Sequence, residues 1–182
     1  MRKAALTILL LLFIASLAYA VQETAWITYN SAEGRYNVLL PAQPDLSTQE
    51  SATADGQKFL QYMAKVQQSN VVYLVGYFDH VPGTTFSADR ARNGMVSAVK
   101  GTLVSERTIS LDGYPGREFK VAAKFDTTDY VLLAKFWDTK TRVYVLIIVY
   151  PKSGENEALS KSAAKYFDSF QILKDSPAAV IH

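Results

Sequence analysis

The chain has 182 residues, 49% of them hydrophobic and 20% charged, with 19 Lys and Arg against 17 Asp and Glu. Arg2 and Lys3 supply the whole of that small positive excess, so no segment carries the basic surplus that nucleic-acid or anionic-membrane binding requires. There is no cysteine, which excludes disulfides, a lipid-accepting thiol, a thiol nucleophile and thiolate metal sites.

The N-terminus reads Met-Arg-Lys, then an apolar run from Ala4 to Leu17, then Ala18-Tyr19-Ala20, a small-x-small pattern that a signal peptidase accepts. We read residues 1–20 as an export signal cleaved after Ala20, giving a periplasmic or secreted protein with no stable membrane insertion after cleavage. A retained anchor is the alternative, although the run is shorter than the roughly 20 residues that span a bilayer. Residues 21–174 are expected to form one domain, a length that buries about two thirds of the surface its unfolded chain exposes.

Residues 26–29 and 36–40 are short aromatic or β-branched runs around the turn-forming Asn30-Ser31-Ala32-Glu33-Gly34, and predict an opening hairpin. Pro41 and Pro44 remove backbone donors and bend the chain at a sheet edge, leaving the polar stretch 45–57 as a loop or edge strand. Residues 58–68 and 71–78 read as two strands joined at Gln68-Ser69-Asn70. After Pro82-Gly83, Ser87 can cap a helix over about 87–100, with Ala88, Ala91, Met95, Ala98 and Val99 as its packing stripe and Gly101 as its stop. Arg90 and Arg92 lie off that stripe, on the solvent side.

A strand over 104–111 is followed by Asp112-Gly113-Tyr114-Pro115-Gly116, where Pro115 and Gly116 suit the centre of a type II turn. Residues 113–150 then read as three antiparallel strands. In the first, Phe119, Val121 and Ala123 alternate with Glu118, Lys120 and Lys124. The third is apolar on both faces, from Val143 to Val149 and from Tyr144 to Ile148, which places it centrally with cover on each side. A second helix over about 155–170 puts Leu159, Ala163, Tyr166, Phe167 and Phe170 on one side, with Glu155 and Glu157 against the positive end of its dipole. Residues 175–182 are expected to be a flexible tail. The pattern predicts an α+β fold, an α-β-α sandwich with helices against a large antiparallel sheet.

The catalytic inventory is short. His182 ends the chain, leaving His80, beside Asp79, as the one plausible base; adjacent strand residues point to opposite faces, so the two need not touch. Glu106, Asp112 and Glu118 could meet across neighbouring strands as an acid and a base. Asp126 and Asp129 lack the alternating oxygens of a calcium loop, the histidines are too few for a structural zinc site, and Gly113 to Gly116 lacks the spacing and following Lys of a phosphate loop. No cofactor or metal is expected. The 11 tyrosines and two tryptophans suit either sheet packing or a binding surface, and Tyr73, Tyr77, Asp79, His80 and Trp137 are the candidate partner or ligand contacts.

The run 26–41, the segment Asp112-Gly113-Tyr114-Pro115-Gly116-Arg117-Glu118 and Lys165-Tyr166-Phe167-Asp168-Ser169-Phe170 together resemble the PsbP/Mog1/DcrB-like superfamily, over most of the chain beyond the leader. The resemblance implies an α-β-α sandwich and a non-catalytic accessory role, in a superfamily whose members serve partners as different as a photosystem and a small GTPase. It transfers no site motif. The expectation is therefore an exported, non-catalytic accessory or binding protein acting on a protein or envelope component. A module for a small apolar ligand, or an enzyme using surface carboxylates or His80, are the alternatives.

Overall fold

The computed structural model describes residues 25–53 and 56–173. The leader, the ends assigned to the domain and the tail lie outside the described residues. In chain order the elements are β1 (Ile27–Ser31), β2 (Tyr36–Leu40), β3 (Asp45–Ala52), β4 (Lys58–Gln68), β5 (Val71–Asp79), α1 (Ala88–Ala98), β6 (Thr102–Leu111), β7 (Tyr114–Phe125), β8 (Thr128–Asp138), β9 (Arg142–Pro151), α2 (Glu157–Asp168) and β10 (Gln171–Ile172). Seven strands form an antiparallel sheet in the order β3-β4-β5-β9-β8-β7-β6, and β1-β2-β10 form a separate small one. The fold is α+β.

The double apolar alternation of β9 makes it the fourth of the seven strands. Tyr144, Leu146, Ile148 and Tyr150 join one core with Tyr36, Val38 and Leu40 of β2 and Ala163, Tyr166 and Phe167 of α2. Val143, Val145, Ile147 and Val149 join the other, with Phe119, Val121, Leu132, Ala134 and Phe136, with Met95 and Val96 of α1 and with Val99 just after it. The two faces are covered unequally. Tyr144, Leu146, Ile148 and Tyr150 are all buried, whereas Val145, Ile147 and Val149 are half-buried, and α1 buries none of its residues completely.

Several local readings change. The opening hairpin forms, yet it belongs to the small sheet, because β2 also pairs with the distant β10 through Asn37–Gln171 and Tyr36–Ile172. The turn before β7 is Asp112-Gly113, not Pro115-Gly116: both Asp112 (φ 51°) and Gly113 (φ 84°) are left-handed, as a tight hairpin with Leu111 opposite Tyr114 demands. Pro115 lies within β7, one residue before the pairing with β8 begins at Gly116–Trp137, so its missing N–H costs no ladder bond there. Gly116 permits close approach instead, since a Cβ on it would stand 2.3 Å from the Phe136 carbonyl oxygen.

Ser87 caps α1, its Oγ accepting the Arg90 N–H at 3.3 Å, a contact worth about 1 kcal/mol. Lys100 (φ 48°), not Gly101, takes the left-handed position after the helix. At the second helix the cap is Asn156, which accepts the Leu159 N–H at 2.8 Å, and Glu155 precedes it. Glu155 instead meets Lys120 Nζ at 2.9 Å and accepts the Tyr150 hydroxyl at 3.3 Å.

Candidate functional site

The incomplete cover on the α1 side leaves an open groove of about 950 Å³ between α1 and the sheet. Its floor is the face of β4, β5 and β9 carrying Phe59, Met63, Leu74, Phe78, Val145 and Ile147, every one half-buried. Gly76 interrupts the floor between Leu74 and Phe78; its own Cβ would press within 2.8 Å of the Tyr62 carbonyl oxygen. The wall is Ala91, Gly94, Met95 and Ala98, with Arg90 at the rim, and the segment from His80 to Ser87 closes one end. Gly94 has open space where a side chain would begin. Phe59, Phe78 and Phe86 form an aromatic chain across that end, with ring centroids 5.0 and 6.1 Å apart.

α1 is held to the far side of this face by charge. Arg92, expected in solvent, is mostly buried and pairs with Glu106, which also accepts Arg117 Nη1 at 2.9 Å; Asp89 lies 3.5 Å from Arg92 and 3.4 Å from Arg117. The clamp faces β6 and β7. Nothing equivalent ties α1 toward β4 and β5 among the described residues, and the groove opens there.

The five candidate contacts divide. Asp79 and His80 border the groove, whereas the rings of Tyr73, Tyr77 and Trp137 sit in the opposite core at 3%, 6% and 4% exposure. Trp137 stacks on Phe170 with its indole N–H unpartnered, and Tyr73 meets Trp26 and Tyr166 edge-on. Burial pushes the Tyr73 and Tyr77 hydroxyls up from their ordinary value. Asp79 and His80 diverge: Asp79 takes two hydrogen bonds from Arg142, at 2.6 and 3.2 Å, and that guanidinium lies 4.2 Å from the centre of the Tyr77 ring. His80 turns to Phe86 and to Asp138, where Nε2 stands 2.9 Å from Oδ1 without the alignment of a hydrogen bond.

The carboxylates do not converge. Glu106 lies opposite Phe119 and Glu118 opposite Arg107, on successive positions and so on opposite faces, and Asp112 is in the hairpin turn. Glu118 borders a smaller cleft of about 410 Å³ beside α2, where Arg107 at 2.7 Å and Lys135 at 3.1 Å hold its carboxyl below the usual range. The cleft is internally neutralised. Sequence reasoning did not locate the groove because it counted Ala91 and Ala98 as packing residues; the signal available was Gly94 between them, an unforced helix glycine on the same side.

No protein-family model and no curated protein matches the chain. Among solved structures it is similar to the solution structure of cyanobacterial PsbP (CyanoP) from Synechocystis sp. PCC 6803, with 10% identity and a TM-score of 0.56, covering 85% of this chain and 96% of that one. A Pseudomonas aeruginosa protein of unknown function aligns over 84% of this chain and 99% of its own, with 13% identity and a TM-score of 0.44. The resemblance read from the sequence therefore holds at the level of architecture: the chain has a PsbP-like fold.

Proposed function

We propose that this is an exported, non-catalytic accessory protein that works by binding, and that the groove beside α1 receives an apolar segment of a protein partner or envelope component. One observation carries the reading: the β4-β5-β9 face is apolar and only half-covered by a helix that presents Ala91, Gly94 and Ala98 to the gap. Asp79 and His80 serve as rim contacts, and Tyr73, Tyr77 and Trp137 as packing behind the floor. The leader supports a periplasmic or secreted location, and α1 and α2 on opposite faces support the α-β-α sandwich. The carboxylates, each tied to a base or set in a turn, give no support to an enzyme.

A photocrosslinking residue at Gly94, expressed in the native envelope, should give a discrete adduct that the same residue at Lys161 on α2 does not. Equal labelling at both positions sinks the reading. The second reading, a small apolar ligand, rests on the groove volume, which is within the range of small-molecule pockets. Native mass spectrometry should then show a bound species that Gly94→Phe removes, and a blank spectrum from protein purified out of its own envelope overturns it.

A further inference from the structure

The seven-stranded sheet is open, and its two margins are guarded differently. At β6 the register breaks in a bulge between Leu103 and Ser105, and Arg107 is pinned to Glu118. β3 pairs with β4 in unbroken register from Asp45–Lys65 to Ala52–Lys58 and contains no proline, lysine or arginine. Apart from Ser51 its residues are exposed, Leu46 at 68%. A straight edge without such guards is a template for another strand.

The phase of the ladder tells which groups are free. Thr53 N–H donates to the Gln57 carbonyl at 2.9 Å, so with the alternation of antiparallel pairing Ser51, Gln49 and Ser47 also bond to β4. Leu46, Thr48, Glu50 and Ala52 therefore direct their N–H and C=O groups away from β4.

We propose that this edge binds a second copy of the chain, β3 against β3, antiparallel about a two-fold axis at Gln49. Outward-bonding residues must oppose outward-bonding residues, which restricts the registers to steps of two. Centring on Gln49 sets Leu46 against Ala52, Ser47 against Ser51 and Thr48 against Glu50, so apolar meets apolar and no like charges face. Centring one position earlier, on Thr48, would put Pro44, which has no N–H, in a bonding position and Leu46 against Glu50. Centring on Glu50 would oppose that carboxylate to itself. The register is self-selected. Because Ser51 and Ala52 line the groove, the second copy's Ser47 joins its open margin, and the proposal stands independently of what the groove binds.

Sedimentation of the chain should show a monomer–dimer equilibrium. Thr48→Pro deletes an outward N–H that β4 does not use, and should raise the dimer dissociation constant at least about tenfold with the thermal midpoint retained. Gln49→Cys, in a chain without other cysteines, places two thiols across a non-hydrogen-bonded pair and should give a disulfide-linked dimer on mild oxidation, whereas Lys161→Cys should not. If Thr48→Pro unfolds the protein, the cysteine pair decides. A monomer at all concentrations, a dimer unaffected by Thr48→Pro, or Gln49→Cys crosslinking no more than Lys161→Cys, overturns the proposal.

Discussion

The hydroxyl of Tyr166 donates to the carbonyl oxygen of Leu74 at 2.6 Å, joining a fully buried residue of α2 to the backbone of β5. The helix is thus fixed over the sheet by direction as well as by apolar contact. Tyr166→Phe keeps the ring and deletes the bond, and should cost about 1–1.5 kcal/mol, read as a lower urea midpoint with an unchanged m value. An unshifted midpoint would show that the hydroxyl contributes nothing net.

Alkaline pH should loosen the same core. Burial lifts the Tyr150 hydroxyl to about 12, with Glu155 adding to the effect, and holds Tyr166 well above its ordinary value. An unfolded tyrosine ionises near about 10, so above that pH the unfolded chain has released protons that the folded chain retains. Stability is then complete below pH 10 and declines as pH rises toward 12. Denaturation at a series of pH values should show a shallower decline for Tyr150→Phe than for the parent, and identical slopes would contradict the assignment.

Glu106 accepts two arginines, one from α1 and one from β7, and is mostly shielded from water. Glu106→Gln leaves the two guanidinium groups with only the more exposed Asp89 as counter-charge and should destabilise the protein by about 1–3 kcal/mol. Hydrogen exchange should rise first in α1, whose hold on the sheet depends on this clamp. A uniform rise across α1 and α2 would mean that the clamp does not govern the helix separately.

Gly94 sits inside α1 with nothing within 4 Å of the position its Cβ would take. Gly94→Ala should therefore raise stability by about 0.5–1 kcal/mol, through helix propensity alone. A loss on thermal denaturation would reveal a contact that the groove geometry does not contain.

Much of the sheet was legible because β7 alternates apolar with charged residues, β9 is apolar on both faces, and the connections among β7, β8 and β9 are short. The doubly apolar β9 had to be central. Aromatic residues blurred the rest: Tyr73, Tyr77 and Trp137 read as surface or core, and only the packing of β2 and α2 over them makes them interior. The pairing of Tyr36 with Ile172 joins the two ends of the fold, and no local pattern encodes it. Asp112-Gly113 was a readable hairpin signal that Pro115-Gly116 masked. The groove was hidden for another reason, since a helix sequence states which residues face a sheet but not which strands they sit above.

The kink between Leu103 and Ser105 also bears on how the protein behaves when concentrated. Were the far margin as straight as β3, each molecule would offer two adhesive borders and could add neighbours end to end into a fibre. With one border bent out of line, growth stops after a single addition, and the material stays as finite particles.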